Sequence, residues 1–258
     1  MRHKVEVFLA ILVSAVIFNF IFKIDMRSIS VDSLIEESEV NENDVSNKKK
    51  VIYLTFDDGP SYKVTGKILD ILEEKEVKAT FFVIGNQIED KEDVLKRMNE
   101  EGHSMNEEGH SIGLHTFTHK YKCIYCHEDC FIREMIECRD EINRVVGISP
   151  NIIRFPGGSY KHLNKEFLNR LHENNLKVYD WNLDNSDGLN PKQSKDVLYK
   201  NAIKGSKDLK TINLLMHCTD MNKNTSEALT KIIDYYKNQG YEFKTIEEDT
   251  PEMYFRIS

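Results

Sequence analysis

The sequence predicts an α/β fold in which a parallel sheet closes, or nearly closes, into a barrel. Segments with strand patterns and segments with helix patterns alternate from residue 51 to about residue 246. The connections between them are mostly short, which favours right-handed crossovers between parallel strands. The strand–helix unit recurs about seven times, and this number favours a barrel over an open sheet. In such barrels the chemistry lies at the carboxyl ends of the strands.

The predicted strands are short apolar runs that stop at turn residues. The first, 51–56, ends at Asp57-Asp58-Gly59-Pro60, and the second, 79–84, ends at Gly85-Asn86. The later predicted strands are 112–115, 151–155, 176–183, 211–217 and 241–246.

The predicted helices are segments in which apolar residues recur every three or four positions. In the first helix these residues are Ile68, Leu69 and Leu72, and the last helix is followed by Gln239-Gly240, a turn signal. The predicted helices are 65–76, 90–101, 132–146, 164–174, 194–204 and 226–238.

An apolar run near the start of the chain predicts a membrane segment. Residues 7–22 are interrupted only by Ser14 and Asn19, and Arg2, His3 and Lys4 precede them. As a helix this run spans roughly 24 Å, which flanking residues can extend toward the ~30 Å hydrocarbon core. No small-residue cleavage site follows it, so residues 1–24 are expected to form an uncleaved signal anchor, with a cleaved signal peptide as the alternative. The remainder would lie outside the cytoplasm.

The rest of the chain divides into a linker and one domain. Residues 25–50 are polar and acidic, with little to bury, and are expected to tether the membrane segment to a globular domain at 51–258. The net charge is −8, from 35 basic and 43 acidic residues. The longest basic run, Lys48 to Lys50, lies in the linker, so a nucleic-acid partner is not expected.

Polar side chains follow several predicted strands, where a barrel would place its chemistry. Asp57 and Asp58 follow the first strand, and His115 and His119 are four residues apart. Two imidazoles at that spacing can face one metal ion from a helical turn. A carboxylate and two histidines leave open coordination positions, as a metal that activates water requires. Further strand-end polar residues are Arg154, Asp180, Asp184, Asp187 and His217.

These residues lie in a set of motifs that resembles the polysaccharide deacetylases of the NodB-homology type, carbohydrate esterase family 4. The motifs are TFDDGP at 55–60, GHSIGLHTFTH at 109–119, RFPGG at 154–158 and LLMH at 214–217. The resemblance covers about residues 51–246. It implies a distorted (β/α)7 barrel that hydrolyses N-acetyl groups of a polysaccharide.

The resemblance also implies roles for individual residues. Asp58, His115 and His119 would bind a divalent metal, usually zinc, with cobalt or manganese as alternatives. Asp57 would be the general base and His217 the general acid. Arg154 would orient Asp57, and Asp187 would pair with His217.

Three further residues are candidates for contact with the substrate. A backbone N–H near Gly157 is placed to stabilise a tetrahedral oxyanion. Leu215 would line the acetyl pocket or belong only to the core. Trp181 would pack in the barrel or stack on a sugar ring.

The chain departs from the family pattern at several positions. Gly188 stands where a tryptophan often follows the aspartate, and a wall of the acetyl pocket is then missing or supplied by another residue. Gly157 stands where an aromatic residue is usual, so a backbone donor is kept and a side chain is lost. Cys218 follows His217 where an acidic residue is common.

Two features of the sequence stay outside this pattern. Cys123, Cys126, Cys130 and Cys138 could be free thiols, contain one disulfide, or form a second metal site with His127. Residues 99–104 recur as 106–111, which predicts a helix extension or a bulged loop near the site, with a metal site at His103 and His110 as the alternative.

The sequence thus predicts a membrane-anchored, extracytoplasmic, metal-dependent polysaccharide N-deacetylase. Its expected partners are the membrane and a cell-wall polysaccharide, with peptidoglycan N-acetylglucosamine as the first candidate substrate. Chitin-like oligomers and an exopolysaccharide of N-acetylglucosamine are alternative substrates. A catalytically inactive glycan-binding wall module is the alternative from another class of protein.

Overall fold

The computed structural model describes residues 49–100 and 109–257. Within those two ranges, no helix is both long enough and apolar enough to cross a bilayer. The predicted anchor at 1–24 and the predicted linker up to residue 48 lie outside the described residues. Residues 101–108, which hold most of the internal repeat, do so as well.

The described strands form one parallel sheet, as predicted. Its order is β5-β4-β3-β2-β1-β7-β6, and β8 pairs with the first residues of β1. The edge strands β5 and β6 are not paired with each other, so the sheet is a half-barrel and not a closed seven-stranded barrel. The strands are β1 Lys50–Gly59, β2 Thr80–Val83, β3 Ser111–Leu114, β4 Ile152–Ile153, β5 Lys177–Val178, β6 Leu183–Asp184, β7 Thr211–His217 and β8 Tyr241–Lys244.

The prediction of one continuous strand at 176–183 is wrong. This segment forms β5 and β6 at opposite edges of the sheet, and the residues between them cross its open side. Arg154 Nε donates to Tyr179 O at 2.7 Å, and Asn213 Nδ2 donates to Asp180 O at 2.6 Å. Because buried side chains from β7 and from the end of β4 bind these carbonyl groups, the segment does not need a neighbouring strand to satisfy them.

The predicted helices are present, with shifted ends and one unexpected short helix. The longest begins at Glu128 and not at residue 132, because His127 Nδ1 accepts from Asp129 N at 3.2 Å and caps it. It ends at Gly147, whose φ of 74° suits a glycine C-cap. The helices are α1 Val64–Glu74, α2 Glu92–Glu100, α3 Tyr121–Ile124, α4 Glu128–Val146, α5 Lys165–Glu173, α6 Lys195–Ile203 and α7 Lys223–Asn238.

The core follows the central strands. Strand β2 is buried throughout, and β7 is buried along all its residues except the two ends. Burial on both faces is typical of parallel strands that lie under helices. Since the strands are parallel, their carboxyl ends meet at one edge, where the motifs singled out in the sequence come together.

Candidate active site

A bulge at the end of β1 places the two adjacent aspartates. In the pairing with β2, Asp57 lies opposite Phe82 and Gly59 opposite Val83, so Asp58 is an extra residue. Its φ of 68° is left-handed, a conformation that aspartate tolerates better than most residues. An extended strand would direct the two side chains apart. The bulge instead brings Asp57 Oδ2 and Asp58 Oδ1 within 3.7 and 3.5 Å of the same atom, His115 Nε2.

Asp58, His115 and His119 form a cluster that fits a divalent metal. Their candidate ligand atoms all lie within 4.8 Å of one another, and Asp58 Oδ1 is 3.4 Å from His119 Nε2. Asp58 Oδ1 is buried and accepts no hydrogen bond, which is costly unless a cation satisfies it. Two imidazoles and one carboxylate are a donor set that suits zinc and leaves coordination positions open.

His115 is held in the form that ligates a metal. Its Nδ1 lies 2.9 Å from Arg154 O, an acceptor only, so Nδ1 carries the proton and Nε2 presents its lone pair to the cluster. Burial lowers the pKa of His115 against the opposing charges of Asp57 and Asp58, so the ring remains neutral.

The segment that joins the two histidines is a loop and not a helical turn. Thr116 and His119 have left-handed φ angles of 67° and 55°. The loop is held by Glu134, a buried residue of α4, which accepts hydrogen bonds from Phe117 N at 3.1 Å, Thr118 N at 2.7 Å and Thr118 Oγ1 at 2.9 Å. Glu134 was not predicted from the sequence, because no spacing relates a helical glutamate to a loop fifteen or more residues before it.

Arg154 and Asp57 form a fully buried ion pair, as the resemblance implies. Arg154 Nη1 donates to Asp57 Oδ1 at 2.9 Å, which leaves Asp57 Oδ2 free to face the cluster. A guanidinium has five N–H groups, and each finds an acceptor here. The other four acceptors are Thr55 Oγ1, Tyr179 O, Asp180 O and Asn213 Oδ1.

His217, at the end of β7, and Asp187 form a second pair. His217 Nδ1 donates to Asp187 Oδ1 at 2.7 Å, and Asp187 Oδ2 accepts from His217 N at 2.9 Å and Thr225 Oγ1 at 2.6 Å. Burial opposes the protonated form of His217. The hydrogen bond to Asp187 and the charges of Asp187, Asp57 and Asp58 outweigh burial and raise the pKa of His217 to about 9.

The main chain at Gly188 covers the His217 ring. A Cβ added at Gly188 would lie 2.6 Å from His217 Cε1, too close for any side chain while the ring keeps this position. The tryptophan expected from the family pattern is therefore replaced here by backbone, and the wall at this point is supplied by the loop after Asp187.

These groups share one cavity of about 440 Å³. Every predicted site residue lines it except Arg154, which lies behind Asp57. Leu215 is 7% exposed, and Trp181 is half-buried with its ring edge-on to Phe255. A second cavity, of about 410 Å³, shares Asp58 and His119 with the first, so two clefts meet at the cluster.

Asp180 uses its carboxylate for hydrogen bonds that hold two segments of the fold together. Its carboxylate accepts from Ser159 N, Ser159 Oγ and Phe255 N, and it thereby joins the loop at residues 157–159, here called the glycine loop, to the C-terminal segment. Burial raises the pKa of Asp180, against these hydrogen bonds and the charge of Arg154.

The cysteines adopt the single-disulfide alternative. Cys126 is bonded to Cys130, while Cys123 is an exposed thiol and Cys138 and Cys218 are buried thiols. In the described ranges, the cluster at Asp58 is the one group of metal-ligating side chains found.

His110 faces the core. It accepts from Ala79 N at 3.3 Å and packs its ring edge-on against Phe81. Burial lowers the pKa of His110 to about 4. The alternative of a His103–His110 metal site stays untested, because His103 lies outside the described residues.

The chain is similar to known proteins in both sequence and fold. The sequence model of the family described as polysaccharide deacetylase matches residues 44–179. The chain is 33% identical over 207 residues to a peptidoglycan-N-acetylglucosamine deacetylase of Bacillus cereus, covering 79% of this chain and 71% of the relative. It is 31% identical over 217 residues to a peptidoglycan-N-acetylmuramic acid deacetylase of Bacillus subtilis, covering 82% of this chain and 76% of the relative.

A solved structure shows the same fold. The catalytic domain of a peptidoglycan N-acetylglucosamine deacetylase from Eubacterium rectale superposes with a TM-score of 0.70 at 30% identity. The superposition covers 81% of this chain and 94% of that domain.

Replacing the carboxylate that holds the histidine loop should weaken metal binding. In Glu134→Gln, an amide with one acceptor oxygen replaces a carboxylate that now accepts three hydrogen bonds, so the loop loses its fixed conformation. We expect zinc affinity, measured by competition with a chromogenic chelator, to fall about 10- to 100-fold. Glu137→Gln, on the exposed side of the same helix, is the matched control. Unchanged zinc affinity in Glu134→Gln would contradict the role assigned to this carboxylate.

Removing the Asp187 charge should lower the pKa of His217. In metal-free protein, NMR titration of His217 should give a midpoint near pH 9, with the ring charged below that pH and neutral above it. In Asp187→Asn, burial is no longer outweighed, so the midpoint should move toward or below the ordinary value of about 6.5. Asp184→Asn is the control, because Asp184 binds Ser186 and not His217. An unshifted midpoint in Asp187→Asn would rule out this pairing.

Proposed function

The chain belongs to the polysaccharide deacetylase family, and on that premise we propose that it hydrolyses N-acetyl groups of peptidoglycan, at N-acetylglucosamine. The observation that supports this most directly is the meeting of three elements in one cavity. These are the Asp58–His115–His119 cluster, the free oxygen of Asp57, and the His217–Asp187 pair. We propose zinc as the metal, because the donor set is two imidazoles and one carboxylate.

Hydrolysis of the amide requires activation of both its carbonyl carbon and its leaving group. Its carbonyl carbon is weakly electrophilic, and an amine is a poor leaving group. A divalent metal held by Asp58, His115 and His119 would supply a Lewis acid for the carbonyl and for the attacking water. Asp57 Oδ2 takes the proton of that water, since Oδ1 is occupied by Arg154. His217 gives its Nε2 proton to the departing amine, while Asp187 keeps Nδ1 in place.

The two clefts that meet at the cluster support a polymer as the substrate. A glycan chain can lie across both, so that the acetylated sugar is next to Asp58 and His119 while its neighbours occupy the flanking clefts. A relative named for N-acetylmuramic acid makes that sugar the second candidate.

The cellular location is a separate part of the proposal. We propose that residues 1–24 anchor the protein in the cell membrane with the domain outside the cytoplasm, because 7–22 are apolar and no small-residue cleavage site follows. The intact chain should remain in the membrane fraction after washing with high salt, and added protease should degrade its domain in intact cells. A variant lacking residues 1–24 is the control and should leave the membrane. Wild-type protein recovered from the medium without this segment would instead show a cleaved signal peptide.

Incubation with purified peptidoglycan should release acetate and leave free amines on N-acetylglucosamine. Mass spectrometry of muramidase fragments should show the loss of one acetyl group on that sugar, and removal of metal by a chelator should abolish it. Asp57→Asn should slow the reaction about 10²–10⁴-fold, because the amide still binds Arg154 and cannot act as a base. Asp234→Asn, a surface residue paired with Lys75, is the control.

The same assay separates the alternatives. Loss of acetyl from N-acetylmuramic acid would move the proposal to the other sugar of peptidoglycan. Activity only on chitin-like oligomers or on poly-N-acetylglucosamine would move it to another polymer. No acetate from any N-acetylated glycan would refute the enzymatic proposal and favour a glycan-binding module.

A further inference from the structure

The short helix α3 lies directly beside the candidate metal cluster. It begins two residues after His119, and its C-terminal neighbour Tyr125 ties it to the glycine loop. Tyr125 Oη donates to Pro156 O at 2.7 Å, and the Tyr125 ring stacks on His162 with 3.7 Å between ring centroids. The position of α3 relative to the Pro156–Gly157 turn is therefore fixed by a hydrogen bond and a ring contact.

From this helix, Tyr121 extends into the cavity that holds the cluster. Its ring contacts the His119 ring edge-on, with 5.7 Å between centroids. Its hydroxyl occupies the space above Gly157, where an added Cβ would lie 2.8 Å from Tyr121 Oη. The side chain that residue 157 lacks is thus replaced, in space, by a tyrosine from another part of the chain.

The hydroxyl of Tyr121 is available to a ligand. No group in the described residues forms a hydrogen bond with it, whereas Tyr125 on the next turn donates to Pro156 O. The side chain is 51% exposed, and it lines the cavity that Asp57 and His217 also line. A phenol can donate a hydrogen bond to an oxygen that gains negative charge.

We propose that Tyr121 is a catalytic residue whose hydroxyl donates a hydrogen bond to the acetyl oxygen as that oxygen becomes an oxyanion. This inference rests on the proposed deacetylase function. The backbone N–H near Gly157 is the other donor, and Tyr121 Oη lies next to the same residue. No proton leaves the phenol: it stabilises the charge while Asp57 and His217 move the protons. The donor is needed most in the transition state, so it should affect turnover more than binding.

The test is Tyr121→Phe, which keeps the ring contact with His119 and removes the hydroxyl. On N-acetylated peptidoglycan we expect kcat to fall about 10²-fold or more, KM to change little, and zinc affinity to remain that of the wild type. Tyr160→Phe, an exposed tyrosine that does not line the cavity, is the matched control.

A second measurement compares the effect of Gly157→Ala on kcat in the wild-type and Tyr121→Phe backgrounds. It does not depend on how far Tyr121→Phe alone lowers kcat. Gly157→Ala places a methyl group against Tyr121 Oη, so its cost in kcat should be smaller when Tyr121 is already phenylalanine. The backbone strain of alanine at a φ of 77° is the same in both backgrounds and cancels.

The results that overturn the inference are distinct from those that overturn the proposed function. An unchanged kcat in Tyr121→Phe, or a raised KM at constant kcat, would exclude a role in the transition state. A parallel fall in zinc affinity would show that Tyr121 only supports His119. A wild-type protein that releases no acetate from any glycan would remove the proposed function itself.

Discussion

The buried ion pair between Arg154 and Asp57 is the interaction on which the rest of this structure depends. Removing a guanidinium and a carboxylate from water costs about several kcal/mol for each ion. The Coulomb attraction between the two charges does not reliably offset that cost. Here the guanidinium gives all five N–H groups to acceptors and stacks 4.2 Å from the Phe82 ring. Loss of either partner would leave an uncompensated charge in the core, which costs about 3–5 kcal/mol.

The same arginine connects the fold to the chemistry. Its contacts reach β1 through Asp57, β7 through Asn213, and the segment that crosses the open side of the half-barrel through Tyr179 and Asp180. The half-barrel and the Asp57 carboxylate are therefore positioned by one side chain. The reactive atoms come from strand ends, whereas several of the groups that hold them come from helices. Glu134 of α4 holds the histidine loop, and Thr225 of α7 binds Asp187.

The sequence predicted most of this site because its residues lie in contiguous motifs at strand ends. Asp57, Asp58, His115, His119 and His217 converge as expected. The conformations that bring them together were not predictable, because they depend on long-range hydrogen bonds. The loop at 115–119 is shaped by Glu134, and the apolar run at 176–183 is divided by contacts from Arg154 and Asn213. The predicted anchor and most of the internal repeat lie outside the described residues.

The bulge in β1 has a consequence for how the two aspartates are told apart. They are the same functional group on consecutive residues, and composition gives no reason for one to take a cation and the other a proton. The main chain makes the distinction. Asp58, with a left-handed φ, directs its carboxylate toward two imidazoles, and the extended Asp57 directs its carboxylate toward the guanidinium of Arg154. The difference between these two identical side chains is therefore set by backbone torsion angles. A change that straightened this strand would remove the difference without altering either carboxylate.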